Sequence, residues 1–204
     1  MKIRTFRQSA HGFTLVELLV VIAIIAVLAG AGLAGIKAAI DRAHKTKAMK
    51  VCQSIDTAVT NFYDEYGHLP LPSGSAQGNQ DVEIITNGAQ GIELLTILMG
   101  MEDDSDNMLN PKNMRFLDVS EGKRIANNMG RDGVIYSAGN RIQGLYDPWG
   151  QPYHVLIDAN YDNQLDNNPF ATGNQPLRGR RVATYTYGKN KKNDHGGGDD
   201  VKSW

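Results

Sequence analysis

Glu17 is a lone acid in the apolar run Gly12-Phe13-Thr14-Leu15-Val16-Glu17-Leu18-Leu19-Val20-Val21-Ile22-Ala23-Ile24-Ile25-Ala26-Val27-Leu28-Ala29-Gly30. Holding an ionised carboxylate among hydrocarbon costs roughly 2.5–3.5 kcal/mol on insertion scales. A chain that accepts this cost needs an opposite charge to answer it. The candidate is an α-amino group, freed if the chain is cut between Gly12 and Phe13. Two charges paired in a low dielectric mainly offset their own desolvation, so the value of such a pair is register.

The segment carrying Glu17 has the dimensions of a membrane span. No charged residue occurs from Leu18 to Ile36. As a helix, Phe13 to Ile36 would rise about 36 Å, against a bilayer core of ~30 Å. Lys2, Arg4 and Arg7 precede it without an acid, a flank that stays cytoplasmic by the positive-inside tendency and sends the C-terminal bulk outward. A secretory signal cut near Ala29-Gly30-Ala31 or Ala34-Gly35 is the competing account. Its apolar core would be unusually long, with an acid at its start. An ordinary signal anchor explains the length but leaves Glu17 unexplained.

The block Gly12-Phe13-Thr14-Leu15-Val16-Glu17, continued by Leu18-Leu19-Val20-Val21-Ile22, resembles the class III signal of type IV pilins and type II secretion pseudopilins. The resemblance implies cleavage after Gly12 by a prepilin peptidase and N-methylation of Phe13. It also implies that Glu17 neutralises the terminal amine of a neighbouring subunit during filament assembly. Asp147-Pro148-Trp149-Gly150-Gln151-Pro152-Tyr153 resembles the turn and strand of major pseudopilins. The tail, Tyr187-Gly188-Lys189-Asn190 through Gly196-Gly197-Gly198-Asp199-Asp200-Val201-Lys202-Ser203-Trp204, looks like their closing calcium loop. It departs from the pattern at Asn190, where an acid is common, and at Lys191 and Lys192.

Two loops have the composition of a calcium site. Calcium takes six to eight oxygen ligands, often carboxylates and carbonyls on a flexible loop. In the tail Asp194, Asp199 and Asp200 supply acids and the glycines free carbonyls; the alternative is a disordered terminus. In the second loop Asp158, Asn160 and Asp162 alternate like the opening of an EF-hand, with Asp166 at its ninth place. Asn163 stands at the turn-glycine place and Pro169 at that of the bidentate glutamate, so this is not an EF-hand, and a polar hairpin loop is its other account. Enzyme chemistry has no foothold. His11, His44, His68, His154 and His195 show no ligand spacing, and neither a nucleophile elbow nor a phosphate loop occurs.

These residues need a scaffold of modest size. The 204 residues carry 41% hydrophobic content and a net charge of −1, and loss of the three leader cations lowers that to −4. Scattered positive charge without an aromatic-basic stripe gives no reason to expect nucleic acid. The single cysteine, Cys52, excludes an intrachain disulfide. Beyond Ile36 the apolar pattern becomes one-sided through Ile40, Ala43, Val51, Ile55, Ala58 and Phe62, broken by Lys47, predicting an amphipathic helix that ends near Gly67 and Pro70. Ser73–Asn79 reads as a polar loop, Gly91–Met101 predicts a short second helix and Phe116–Val119 a short extended segment; Tyr153–Ile157 predicts a strand entering a hairpin, and Arg181–Tyr187 a second strand with Val182, Thr184 and Thr186 on one face.

The expected fold is α+β, a pilin fold with a long N-terminal helix on a small antiparallel sheet. Its expected parts are a leader (1–12), a transmembrane half-helix (13–36), an amphipathic half-helix (37–66) and a periplasmic domain (67–204). The resemblance implies a homo-oligomeric filament in the inner membrane, with a single pass and the C-terminal domain periplasmic. Its implied partners are membrane lipid, prepilin peptidase, the assembly platform and minor pseudopilins. The function expected is a type II secretion pseudopilin assisting export of folded proteins. A type IV pilus or competence subunit, and a non-assembling membrane-anchored domain that binds calcium or another ligand, are the alternatives.

Overall fold

The structure is a computed structural model describing residues 12–75, 80–103, 107–126, 129–173 and 175–204, without the side chains of 31–35. The leader residues 1–11 and the end of the loop expected at 73–79 fall outside it. Contacts divide the chain into two units, Met1–Arg42 and Ala43–Trp204. The first helix, α1 (Leu15–Tyr66), contributes to both.

In the first unit, Thr14 begins α1. Its Oγ1 accepts the Glu17 N–H at 3.2 Å, while Glu17 Oε2 accepts the Thr14 N–H at 2.9 Å and the Thr14 hydroxyl at 2.8 Å. This reciprocal pair is a capping box, satisfying helix-start donors that have no intrahelical partner. Phe13, Leu15, Val16 and the large apolar residues from Leu18 to Leu28 are all exposed. A membrane-crossing segment was expected over 13–36. Among the described residues no helix is long and apolar enough to cross a membrane. The apolar stretch with described side chains, Leu15 to Gly30, rises about 24 Å as a helix, short of a ~30 Å core.

In the second unit α1 buries Ala48, Cys52, Ile55, Ala58, Val59 and Phe62. The stripe therefore runs one residue beyond the expected Lys47 and Val51 in its first turns. Burying an unpaired ammonium is costly, and Lys47 instead stays half exposed, reaching Asp132 at 2.7 Å. Gly67 closes the helix at φ +74, its N–H donating to Tyr63 O at 2.8 Å.

The sheet lies on this half of α1. The strands β1 (Val82–Ile85), β6 (His154–Ile157), β9 (Val182–Thr186) and β10 (Val201–Lys202) run antiparallel in the order β1-β6-β9-β10. Between them in sequence come α2 (Ala89–Leu98), β2 (Lys123–Ala126), β3 (Met129–Arg131), β4 (Gly133–Tyr136), β5 (Ile142–Tyr146), β7 (Gln164–Leu165) and β8 (Leu177–Arg178). The pairs β2–β3, β4–β5 and β7–β8 form two-stranded ribbons. The α+β expectation is met.

Both faces of the main sheet are covered. Ile84, Val155, Ile157, Val182 and Val201 join the α1 residues in one core, while Leu156, Ala183 and Tyr185 pack with Leu165 and Phe170 in another. All five residues of β9 are consequently buried. Val182, Thr184 and Thr186 were expected to share a face. Val182 lies in the α1-side core, and Thr184 Oγ1 donates to Asp56 Oδ1 on α1 at 2.6 Å. Burial pushes the Asp56 carboxyl up, opposed by hydroxyl bonds from Ser203 and Thr184.

Two expectations need correction. Residues 116–119 form no strand; the N–H groups of Phe116 and Leu117 both donate to Leu98 O, so this segment caps the exit from α2. The strand after the Pro-Trp-Gly turn does not enter a local hairpin. It becomes the inner strand β6, paired with β1 on one side and β9 on the other. The helix expected at 91–101 occupies Ala89–Leu98, and Gly91 sits so close to β1 that a Cβ there would lie 2.0 Å from Ile85 O.

Cys52 is fully buried, and burial pushes its thiol well up, which removes the reactive thiolate. In the folded chain it is expected to react with an alkylating reagent at least ~100-fold more slowly than after unfolding. Equal labelling of folded and urea-unfolded protein, counted by mass, would contradict that placement.

Candidate functional site

Gly12 and Phe13 stand just ahead of the capped start of α1, and Phe13 is 76% exposed. Both Thr14 donors go to Glu17 Oε2, so Oε1 is the oxygen left to receive a further donor. The sequence treats Glu17 as an acid waiting for a charge. The structure adds a local partner, Thr14, which the Thr-x-x-Glu spacing already announces.

The segment 147–153 forms a tight turn built on one carboxylate. Asp147, fully buried, accepts the Trp149 and Gln151 N–H groups on Oδ1, each at 2.8 Å, and the Thr186 hydroxyl on Oδ2 at 2.8 Å. Gly150 takes φ +87 and its N–H donates to Asp147 O at 3.0 Å. Burial raises the Asp147 carboxyl against these bonds. The turn thus ties the start of β6 to the end of β9. Trp149 meets the ring of His44 edge-on at 5.9 Å.

The tail is ordered by hydrogen bonds and ends in the strand β10, so the alternative of a structureless terminus is set aside. Asp200, 2% exposed, accepts the N–H groups of Asp194 at 2.8 Å and Gly196 at 3.0 Å on Oδ2. Its Oδ1 is buried without a partner. Asp199 Oδ2 accepts Asn190 N–H at 2.6 Å, and Asp194 Oδ2 accepts the Asn190 side-chain amide at 2.7 Å. Asn190, out of pattern in the sequence, is therefore the donor linking the two acids. Lys45 on α1 donates to Gly198 O at 3.0 Å.

Asp158 is fully buried and accepts the N–H groups of Asp162 at 3.1 Å and Asn163 at 2.8 Å, one on each oxygen. Asp162, exposed, accepts from Gln164 N at 3.0 Å and from the Asn160 amide at 3.2 Å. Among the described residues no group of three or more His, Cys, Asp or Glu side chains could hold a metal ion. Either loop would need amide or main-chain oxygens as well. His154 Nδ1 lies 2.8 Å from Glu83 Oε1 and the ring stacks on Tyr185 at 4.7 Å, as packing would require.

Comparison with known proteins bears on the N-terminal residues. A family model described as the prokaryotic N-terminal methylation motif matches residues 7–33. A fimbrial protein of Neisseria meningitidis (serogroup A, serotype 4A) is 32% identical over 83 residues, 41% of this chain and 49% of that protein. The chain thus spans about half the length of the curated relative it matches. No solved structure matches.

Proposed function

We propose that this chain, which carries a type IV pilin-like prepilin signal and is a subunit of the pilin or pseudopilin type, is the major pseudopilin of a type II secretion machine. The observation that carries the reading is the methylation motif over residues 7–33 with Glu17 inside it, continued by an apolar helix exposed throughout its described length. Large contiguous apolar surface marks a surface meant for lipid or for other copies. Residues 13–36, with the apolar Ala31-Gly32-Leu33-Ala34-Gly35 included, would cross the inner membrane, and the domain from 67 onward would stand in the periplasm.

Assembly then follows from a few groups. Prepilin peptidase removes residues 1–12 and leaves the Phe13 amine, which is methylated. In the single subunit Glu17 is held by Thr14. In the filament Glu17 Oε1 receives the Phe13 ammonium of a neighbour, and Oε2 keeps its Thr14 bonds. A subunit out of step leaves both charges buried and unpaired, at a cost of about 3–5 kcal/mol. Membrane lipid, the assembly platform and minor pseudopilins complete the partners. Extension of the filament would push folded cargo outward. The secretion reading over a pilus subunit is supported by the Asp147 turn, by the lone buried cysteine that excludes a C-terminal disulfide, and by the closing loop. Terminal mass analysis tests the whole: a mature chain starting at methylated Phe13 is expected, and any other start removes the proposal.

Calcium belongs to the same proposal. Asp200 Oδ1, buried without a partner, fits a cation ligand, and Asp194 and Asp199 would supply further oxygens. The ion would neutralise these three acids and hold the tail against β9. At a hundredfold excess over its dissociation constant it would stabilise by about 2.7 kcal/mol, roughly 5–10 °C in Tm for a chain of this size. Calorimetry of the solubilised chain with CaCl2 against EDTA should show that rise, and Asp200→Asn should lose most of it. An unchanged Tm in the parent chain would rule the ion out.

A further inference from the structure

A cavity of about 240 Å³ lies between the second half of α1 and the connection from β8 to β9. Val59, Leu69 and Val182 give it an apolar lining, and Tyr63 adds an aromatic ring. A mostly apolar hollow with a few polar groups brought together is what a small-ligand site needs. Its volume falls below the roughly 300–1,000 Å³ of drug-sized sites, so it suits a small molecule or a single side chain.

Two guanidiniums set its electrostatics. Arg180 and Arg181 both line the cavity, and among the described residues neither has a carboxylate within ion-pair distance. Asp56, the one acid among the described lining residues, is held by the hydroxyls of Thr184 and Ser203. Two guanidiniums against one carboxylate leave the lining with a net charge of +1. Arg180 is near enough to share the Asp56 charge, so Arg181 carries more of what is unanswered. The complementary ligand is a monoanion.

Arg181 is also preorganised. Its guanidinium lies 4.4 Å from the centre of the Tyr63 ring, an attraction that holds the group without using its N–H donors. The main chain around it is fixed as well. Asp158 N–H donates to Arg181 O at 2.9 Å, and Gly179, at φ +70, donates its N–H to Asn163 O at 2.8 Å. Donors on a fixed fork suit a carboxylate, which a guanidinium meets with two parallel bonds. Tyr161 marks the same end of the domain. It is bulky, half exposed and at φ +61, a conformation that is costly away from glycine and concentrates at functional sites. Its hydroxyl accepts the Leu69 N–H at 3.2 Å and its ring centre lies 6.5 Å from that of Tyr63, which places it beside two of the lining residues.

We propose that this cavity binds a monocarboxylate with a short apolar body, presented as a small free acid or as an acidic side chain of a peptide. The carboxylate accepts N–H donors from Arg180 and Arg181, and the carbon body packs on Val59, Leu69 and Val182 beside the Tyr63 ring. Charge-assisted, paired bonds of this kind are roughly twice as strong as neutral ones. The site lies wholly within the unit Ala43–Trp204 and stands whether or not the chain forms a secretion filament.

The test uses the full chain in deuterated detergent and saturation-transfer NMR observed on the ligand. Isovalerate is the free acid, acetyl-glutamate amide the peptide-borne one, and isovaleramide the uncharged control. Saturable transfer to one or both acids is expected, and the acid that saturates identifies the source. Isovaleramide should bind about tenfold more weakly or worse. Arg181→Gln removes an exposed side chain and leaves the main-chain bonds in place, and it should weaken binding about tenfold or more. Arg180→Gln should do the same, which covers the case of Arg181→Gln failing to fold. Arg178→Gln, outside the lining, should change binding by less than about twofold. No saturation by either acid overturns the proposal. Equal binding of isovaleramide overturns it too, as does an Arg178→Gln loss as large as that of Arg181→Gln. None of these results bears on Phe13 processing, so this site and the secretion reading fail separately.

Discussion

A Glu17→Gln chain is expected to be processed and to fold like the parent, yet to yield no filaments. Glutamine keeps the shape of Glu17 and one carbonyl oxygen, so it can still accept the Thr14 N–H and hydroxyl that start α1. What it loses is charge. The neighbour's Phe13 ammonium would then be buried without an answer at every contact, and breaking such a pair costs about 3–5 kcal/mol. Each 1.4 kcal/mol is tenfold in affinity, so every subunit contact would weaken by a factor on the order of 10²–10³. Glu17→Leu should do the same while also losing the cap, which is worth about 1 kcal/mol. Sedimentation and electron microscopy of sheared filaments provide the measurement. Parental filament yield from Glu17→Gln would leave the acid as a helix cap and nothing more.

The second large effect should come from Asp147. Its carboxylate satisfies the Trp149 and Gln151 N–H groups and the Thr186 hydroxyl inside the domain. Asp147→Ala strands one buried and two part-buried donors, at about 1–3 kcal/mol for a fully buried one and less where water can reach, or roughly 3–5 kcal/mol together. That is a large share of the 5–15 kcal/mol typical of a whole fold. Asp147→Asn retains an acceptor for the two backbone donors and can donate to the threonine oxygen. It should cost about 1 kcal/mol. Urea unfolding followed by Trp149 fluorescence separates the two variants. If alanine and asparagine unfolded at the same urea concentration, the turn would not depend on this carboxylate.

Much of the scaffold is visible in the sequence where a pattern is long. The run around Glu17 and the one-sided stripe behind it set α1, and alternation sets β6 and β9. The buried stripe passes through Ala48 and Cys52 where spacing alone points to Lys47 and Val51, because the Lys47 ammonium stays in water beside Asp132. The strands β1, β4 and β5 leave little pattern in the sequence: each is only four or five residues long, and Glu83 interrupts β1 as Gly144 interrupts β5. β10 hides in a Gly- and Asp-rich tail whose composition reads as loop. At the sites, residue type was legible but partnership was not. Thr14 and Glu17 are near neighbours and their capping pattern can be read directly. Tyr63 and Arg181 meet only because α1 packs beside the start of β9, and nothing local to either residue announces that.

The order β1-β6-β9-β10 leaves its two margins poorly suited to accepting a stranger. One border is only two residues long and includes Lys202; the other is four residues with the exposed Glu83 in it. Short, charged borders discourage sheets on different molecules from zippering together. Even when many copies crowd one patch of surface, the globular heads should stay mutually inert and free of amyloid-like fusion.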